Sequence, residues 1–352
     1  MKTGGKVLMV GHLGRGNIGD AWMVAGLREV LKTRAESVCF WGEPDRPSWA
    51  SAGFLRTLMA SDQLWLGPGS LFHDLAKRFR FRWSGLIKAV VLAGIGRLLG
   101  KRVSLVGVGV GPLKGLFARL LWRLLCGCCQ FASVRDDASL AFFPKQFGVK
   151  RTGDPAFWAP LPNRPTGPIL WDLGLILAPV GGILNGQPEW DTRILDGLVN
   201  ALLATPKTDG VTLRISCFVA SQKAEEADGP MAETCIQRLL EHGFTAQVSS
   251  SHHSPDDFLG WVSQCSALIS VRYHGILAAA MLRKPCLALG YHPKCQRLWT
   301  ELNADPAYYL DYFSVDSNRL AATLHTFLAH APLLPRYAPP EACLQNLLPE
   351  AL

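Results

Sequence analysis

The sequence predicts an α/β fold of two doubly wound domains, each with a parallel sheet, that face each other across a cleft. Three observations lead to this prediction. Short apolar runs of strand length alternate with helical stretches along most of the chain, several of these strands end in glycine-rich turns, and a proline-rich stretch divides the alternation into two halves. Such alternation is typical of parallel sheets that helices cover on both faces.

Length and composition allow two domains. The chain has 352 residues, of which 49% are hydrophobic. Single cores seldom grow past about 250–300 residues. Residues 158–168 contain four prolines and little periodicity, so we expect a linker there. The predicted limits are residues 1–160 for the first domain, 161–335 for the second and 336–352 for a C-terminal tail.

The first predicted domain opens with a buried strand, Lys6–Val10, a glycine-rich turn over residues 11–20, and a helix from about Ala21 to Thr33. This arrangement aims backbone N–H groups and a helix dipole at an anion. The turn matches neither a G-x-G-x-x-G pattern nor a P-loop. Further strands are predicted at residues 37–41, 63–66, 103–108 and 131–134, with glycine turns at 67–70 and 109–112, and helices at about 49–59 and 116–125.

The second predicted domain repeats the alternation. Strands are predicted at residues 173–177, 212–217, 245–248, 267–271 and 286–289, and helices at 189–204, 223–241, 255–263, 275–282 and 317–329. The loop that holds His252 and His253 is rich in serine, and we interpret these two side chains as solvated, with substrate contact as the alternative.

Residues 266–294 carry the strongest functional signal. Arg272 and His274 lie where one strand meets a helix, and His292 and Lys294 follow the next strand. Because the carboxyl ends of parallel strands form the ligand crevice, we expect these groups at one edge of the sheet. Two cations and one or two imidazoles there suit a small, multiply negative ligand whose reaction moves a proton. Taken singly, each has a plainer interpretation as a surface cation, a helix cap or a packed ring.

The charge of the chain is +8 and is concentrated in one segment. No acidic residue stands between Asp74 and Asp136, whereas this segment holds the following cations: Lys77, Arg78, Arg80, Arg82, Lys88, Arg97, Lys101, Arg102, Lys114, Arg119 and Arg123. Phe79, Phe81 and Trp83 alternate with three of these arginines, which favours an anionic membrane surface as partner of the basic segment 77–123. A solvated face is the plainer alternative. Nucleic acid is not expected, because no recognisable binding module accompanies the charge.

The ten cysteines are scattered, without the paired spacing of a zinc site, and are expected to be reduced thiols. No signal peptide is evident, and the apolar stretch 86–99 is too short to span a bilayer. We therefore expect a cytoplasmic protein, with the inner face of the membrane as a candidate surface.

Several short blocks together resemble one known family. They are Gly16-Asn-Ile-Gly-Asp20, Gly67-Pro-Gly-Ser70, Gly107-Val-Gly-Val-Gly-Pro112, Ser133-Val-Arg-Asp-Asp137, Gly153-Asp-Pro-Ala-Phe157 and Ser270-Val-Arg-Tyr-His274, followed by Tyr291 and Lys294. In this order and spacing the sequence is similar to the polysaccharide pyruvyl transferases. The similarity extends from the N-terminus to about residue 300.

The resemblance implies two Rossmann-like domains in a GT-B-like arrangement. It also implies transfer of a pyruvyl group from phosphoenolpyruvate to two hydroxyls of a sugar, which forms a cyclic ketal on a cell-surface polysaccharide or its lipid-linked precursor. On this sequence it makes Arg272 and Lys294 donor ligands from one domain and Arg135 a donor ligand from the other. It makes His274 the catalytic acid/base and places Asn17 and Asp20 at the cleft.

Two positions depart from the family pattern. Family members often carry Glu where Ala21 stands and three glycines where Gly67-Pro-Gly69 stands. A missing carboxylate beside the cleft affects acceptor binding more than donor binding.

The chemistry agrees with this assignment. Phosphoenolpyruvate carries a phosphate and a carboxylate, which Arg135, Arg272 and Lys294 would bind. His274 would move the protons, and Asp20 is a weaker candidate for deprotonating the acceptor. No metal or cofactor is expected.

The alternatives are a GT-B glycosyltransferase that uses a nucleotide-sugar and a non-catalytic glycan- or lipid-binding relative. The acceptor sugar, the ketal stereochemistry and the oligomeric state stay open.

Overall fold

The computed structural model describes residues 4–11, 16–32, 34–41, 51–74, 84–161, 168–181, 187–205, 213–222, 227–250, 254–330 and 332–335. These residues form two compact units, and the division falls between Pro160 and Leu161. Gly16–Ile18 belong with the second unit, although their neighbours in sequence belong with the first.

The first unit is a parallel α/β structure. Its strands are β1 (Gly4–Val10), β2 (Ala35–Trp41), β3 (Gln63–Leu66), β4 (Gly69–Phe72), β5 (Arg102–Val110), β6 (Phe131–Val134) and β7 (Lys150–Arg151). Its helices are α1 (Ile18–Leu31), α2 (Ala52–Ala60), α3 (Ser84–Leu98), α4 (Leu116–Cys128) and α5 (Asp137–Leu140), and a 3-10 helix spans Pro155–Trp158.

The sheet of the first unit is buried on both faces. Its order is β2-β1-β3-β5-β6-β7, with β4 paired to β5, and its pairs are parallel. Leu8 packs in one apolar cluster with α2, α3 and α4, whereas Val7 and Met9 pack in another with α1. Neighbours in a strand point to opposite faces, so this division shows helices on both sides of the sheet.

Two predicted details of the first domain are wrong. The first helix begins at Ile18 and not at Ala21, so Asp20 lies in its first turn, where a carboxylate is favoured by the helix dipole. The stretch predicted as a glycine turn at 67–70 continues as strand β4, whose Gly69 pairs with Val108. Periodicity could not reveal this strand, because glycines interrupt the apolar run.

The second unit has the same architecture. Its strands are β8 (Trp171–Ile176), β9 (Arg214–Val219), β10 (Thr245–Ser250), β11 (Cys265–Ser270), β12 (Cys286–Gly290) and β13 (Tyr309–Asp311). Its helices are α6 (Glu189–Leu203), α7 (Gly229–Glu241), α8 (Pro255–Ser263), α9 (Tyr273–Met281), α10 (Pro293–Glu301) and α11 (Ser317–His330), with a 3-10 helix at Pro306–Tyr308.

The second sheet has the order β10-β9-β8-β11-β12-β13, and its pairs are parallel. The ends of β9, β8, β11 and β12 are therefore neighbours at one edge. This confirms the prediction of α/β domains with parallel sheets.

The structure adds elements that the sequence pattern did not predict. Helix α10 and strand β13 follow β12, and α9 begins at Tyr273, two residues earlier than expected. His274 and Lys294 are thus the second residues of two helices and not loop residues. A short helix whose first turn contains proline and lysine has little apolar periodicity to reveal it.

Some predictions concern residues outside those described. They are the alternating aromatic and basic residues at 77–83, the two histidines 252 and 253, the tail 336–352 and the middle of the predicted linker.

None of the described helices is long and apolar enough to cross a membrane.

The described cysteines carry free thiols, and seven of them are buried: Cys126, Cys129, Cys217, Cys235, Cys265, Cys286 and Cys295. Burial raises the pKa of Cys126, Cys235 and Cys265 to about 12. Since the thiolate is the reactive form, these side chains are chemically inert in the folded protein.

We therefore predict that an aromatic disulfide reagent at about pH 8 modifies at most three thiols of the native protein quickly, the ten in the chain less the seven buried ones. In denaturant all ten should react. Rapid reaction of four or more thiols before unfolding would contradict the packing described here.

Candidate functional site

The carboxyl edge of the second sheet collects most of the polar side chains singled out from the sequence. Arg272 follows β11 and Lys294 follows β12, the adjacent strand. Ser221 follows β9. Ligands of open parallel sheets bind outside these strand ends, so this edge is the candidate site of the unit.

Arg272 is fixed by a buried carboxylate. Its Nη2 donates to Asp228 Oδ1 at 2.5 Å and its Nε donates to Asp228 Oδ2 at 3.2 Å. The side chain of Asp228 is fully buried, and that of Arg272 is 11% exposed. A two-point contact of this kind fixes the plane of the guanidinium as well as its position.

The ion pair spans the end of one strand. Asp228 Oδ2 accepts from the backbone N–H of Ser221 at 3.0 Å, and the Asp228 N–H donates back to the Ser221 carbonyl at 3.0 Å. Ser221 follows β9, and β8 separates β9 from β11 in the sheet. Two strand spacings amount to about 10 Å, a distance that the long arginine side chain helps to cover. The contact ties together the loops on either side of β8.

Asn17 joins the same cluster through the backbone. It forms an isolated antiparallel bridge with Ser221. The Ile18 N–H donates to the Ala220 carbonyl at 2.9 Å, and the Gln222 N–H donates to the Gly16 carbonyl at 2.7 Å. The glycine-rich loop predicted to bind an anion is thereby linked to Arg272 through Ser221 and Asp228.

Lys294 lies between two tyrosine rings. Its Nζ is 5.7 Å from the ring centroid of Tyr273 and 5.7 Å from that of Tyr291. Within the described residues Lys294 forms no ion pair with a carboxylate. The negative faces of the two rings attract the ammonium without neutralising it, so Lys294 contributes a full positive charge to this edge.

His274 lies in the first turn of α9 and is half-buried. Its ring meets that of Tyr273 edge to face, with centroids 5.1 Å apart. Tyr273 therefore contacts both His274 and Lys294, and it brings the candidate acid/base and the candidate cation into one cluster.

Helix α9 packs tightly against the strand that precedes it. A Cβ at Gly275 would lie 2.1 Å from Ser270 Oγ, a separation that no side chain tolerates. Glycine at this position lets the amino end of α9 start directly at the end of β11.

Two helices begin at this edge, α9 after β11 and α10 after β12. His292 is the N-cap of α10, and its Nδ1 accepts from the Lys294 N–H at 3.2 Å. Helix amino ends carry partial positive charge and favour anions. Together with Lys294 and Arg272 they make this edge suited to a small anion with several acceptor oxygens.

The first unit holds the remaining two candidate residues. Arg135 is only 6% exposed. Its Nη2 donates to Ser70 Oγ at 2.5 Å, and its Nη1 lies 3.4 Å from Asp154 Oδ2. A Cβ at Gly109 would lie 2.7 Å from Arg135 Nε, so this glycine makes room for the guanidinium.

Four of the short sequence blocks thus meet around Arg135, and other contacts interlock them further. The Ser133 and Ser139 hydroxyls accept from the backbone N–H groups of Gly107 and Val110, each at 2.9 Å. Asp20, the other candidate of this unit, is half-buried in the first turn of α1.

Four residues in this region were not predicted from the sequence to be functional: Ser221, Asp228, Tyr273 and Tyr291. Asp228 fell inside a predicted helix, where an acidic residue is usually solvated. The Asp-Gly-Pro sequence at 228–230 was the available signal, because it marks the start of a helix. Tyr273 and Tyr291 flank predicted site residues, but spacing alone cannot show that two rings enclose one ammonium.

Metal ligands do not cluster in the part of the chain that the structure describes: no three His, Cys, Asp or Glu side chains come together there.

The model of one protein family, "Polysaccharide pyruvyl transferase", matches residues 17–293, which is more than half of the 352-residue chain. The chain belongs to the polysaccharide pyruvyl transferase family. No curated protein matches the sequence of this family member.

Solved structures agree on the fold. UDP-GlcNAc 2-epimerase from Methanocaldococcus jannaschii is similar with a TM-score of 0.58 and 10% identity, covering 94% of each chain. UDP-N-acetylglucosamine 2-epimerase from Rickettsia bellii is similar with a TM-score of 0.57 and 10% identity, covering 97% of this chain and 94% of its own. At such identity the likeness shows the fold alone, two Rossmann-like domains.

The buried ion pair generates a stability prediction. Asp228→Asn removes the buried carboxylate that binds Arg272 at two points, so the free energy of unfolding of the transferase should fall by about 3 kcal/mol, as measured by urea denaturation. The matched control is Asp172→Asn. Its carboxylate also binds an arginine at two points, and the hydrogen bonds from Arg214 lower the pKa of Asp172, but the two side chains of this pair are 31% and 43% exposed. The control should lose much less stability. Equal losses would contradict the role given to Asp228.

Proposed function

We propose that this protein transfers the pyruvyl group of phosphoenolpyruvate to two hydroxyls of a sugar and releases phosphate. Family membership supports a transferase acting on a polysaccharide or its precursor. The observation that carries the finer proposal is the cluster of Arg272, His274 and Lys294 at the carboxyl edge of the second sheet.

The donor matches the charge of this edge. Phosphoenolpyruvate carries a phosphate and a carboxylate on three carbons. A guanidinium has five N–H donors, of which two bind Asp228, and its planar shape suits two-point binding of an oxyanion. Lys294 adds a point charge, and the amino ends of α9 and α10 add backbone N–H groups.

The reaction consists of two additions to one carbon. A proton is added to the methylene carbon, C3, which becomes a methyl group and leaves C2 electrophilic. The first sugar hydroxyl attacks C2 and loses its proton. The bond between C2 and the phosphate oxygen then breaks, phosphate leaves with the bonding electrons, and the second hydroxyl attacks C2 and loses its proton. One donor and one diol give one ketal and one phosphate.

His274 is proposed as the group that moves these protons. An imidazole can both donate and accept a proton, and the half-buried position of His274 beside Tyr273 keeps it at the edge where the donor would bind. A positioned acid/base contributes on the order of 10²–10⁴ in rate.

The other assignments remain predictions of the same proposal. Asn17 and Arg135 would assist donor binding, and Asp20 would deprotonate the acceptor. For Arg135 this means binding through a guanidinium that Ser70 and Asp154 already hold in place. The acceptor would be a sugar of a cell-surface polysaccharide, free or linked to a lipid carrier.

The first prediction concerns His274. His274→Ala should lower phosphate release from phosphoenolpyruvate by at least about a hundredfold, because the reaction loses its positioned acid/base. The measurement uses a panel of lipid-linked or aryl glycosides as acceptors. The control is His325→Ala, which removes an exposed imidazole of α11 and should stay within about twofold of the unchanged protein. Unaltered turnover in His274→Ala would refute its role.

The second prediction concerns Lys294. Lys294→Gln should raise the KM for phosphoenolpyruvate at least about tenfold, because a charged hydrogen bond to an oxyanion is lost. Lys150→Gln, at an exposed position in β7, serves as the control and should leave KM unchanged. An unchanged KM in Lys294→Gln would show that the donor binds elsewhere.

The same assays separate the two alternatives. Turnover with a nucleotide-sugar and none with phosphoenolpyruvate would indicate a glycosyltransferase. A protein that binds a glycan with the same affinity before and after His274→Ala, and turns over neither donor, would be a non-catalytic relative.

A further inference from the structure

The outer face of α3 is apolar. Ile87, Val91, Ile95 and Leu98 recur at helical spacing, and each is at least 37% exposed. The opposite face of the helix, with Leu86, Ala89 and Ala93, is buried in the core. Helix α3 therefore has one apolar face against the sheet and a second one outside it.

Helix α4 repeats this arrangement beside α3, which it contacts. Leu116, Leu120 and Leu124 follow each other at intervals of four residues, and Phe117 widens the same arc. Their exposed fractions range from 44% to 83%. Ala118, Leu121 and Leu125 form the buried side.

These two helices hold eight of the seventeen large exposed apolar side chains of the described chain, and Leu99, directly after α3, is a ninth. Scattered exposed apolar residues are normal, whereas a contiguous group on two neighbouring helices marks an interaction surface.

The segment that carries this surface has charge of one sign. The described residues between Asp74 and Asp136 include Lys88, Arg97, Lys114, Arg119 and Arg123 and no acidic side chain. Arg119 and Arg123 lie on one side of the leucine arc of α4 and also line a cavity of about 860 Å³, whose wall includes Trp122, Phe142 and Phe147.

We propose that the outer face of α3 and α4 docks on an anionic lipid bilayer. The leucine and isoleucine side chains enter the interface between headgroups and acyl chains, while Arg119 and Arg123 bind lipid phosphates at the mouth of the cavity. Amphipathic helices with cations beside a wide apolar arc bind membranes in this way. This inference is independent of the reaction proposed above.

Charge complementarity favours a bilayer over a second copy of the chain. Two copies would bring two positively charged rims together, and like charges across an interface oppose association. An anionic membrane attracts the same rim, and each Lys or Arg near the surface strengthens binding by about fivefold.

Vesicle flotation tests the proposal. The unchanged protein should float with vesicles of phosphatidylcholine and phosphatidylglycerol at low salt and bind at least about tenfold more weakly to phosphatidylcholine alone. The double variant Leu120→Ser/Leu124→Ser should weaken binding at least about tenfold, because apolar side chains no longer enter the interface. Arg119→Gln/Arg123→Gln should weaken it to a similar degree through lost charge.

The matched control is Leu55→Ser/Leu240→Ser. These leucines are 52% and 51% exposed, against 53% and 50% for Leu120 and Leu124, but lie on other helices. The control should bind like the unchanged protein. The proposal is overturned if the protein does not float with anionic vesicles, or if either test variant binds as well as the control. A dimer in solution that Leu120→Ser/Leu124→Ser converts to monomer would overturn it too, since the face would then be an interface between copies.

Discussion

The carboxyl edge of the second sheet depends on one contact, the buried ion pair between Arg272 and Asp228. It joins the loop after β9 to the loop after β11, across the end of β8, and Asp228 also holds Ser221, which pairs with Asn17. Three separate segments of the chain are thereby fixed around one guanidinium. A charge this far from water requires its partner, so the positions of these loops are linked to one another.

The pairing also decides which group supplies net charge. Asp228 offsets the charge of Arg272, so Arg272 contributes oriented N–H donors more than net attraction. Lys294, held by the faces of Tyr273 and Tyr291, remains a full cation. Two helix amino ends point to the same edge. The edge thus combines the rigidly held N–H groups of Arg272 with the positive charge of Lys294. Preorganised groups of this kind bind an anion with little further loss of conformational entropy.

Much of this could be predicted from the sequence, because apolar runs of strand length and helical periodicity are local signals. They gave the parallel α/β class, and the blocks around Arg135 and Arg272 gave the family. Contacts between distant segments are different. The carboxylate of Asp228 lies 44 residues from Arg272, and its role depends on the strand order, which periodicity does not contain. The same holds for β4, because glycines interrupt the apolar run from which a strand is predicted, and for the two tyrosines around Lys294.

The most direct test of the proposed reaction follows the donor carbon itself. Phosphoenolpyruvate labelled with carbon-13 at C2 is incubated with the protein and a glycoside that carries two neighbouring hydroxyls, and the purified glycan is examined by nuclear magnetic resonance. The account predicts that the label appears in the glycan as a quaternary ketal carbon bonded to two oxygens, a methyl group and a carboxylate. A glycan without label, with the label recovered in phosphoenolpyruvate or free pyruvate for every acceptor tried, would contradict it.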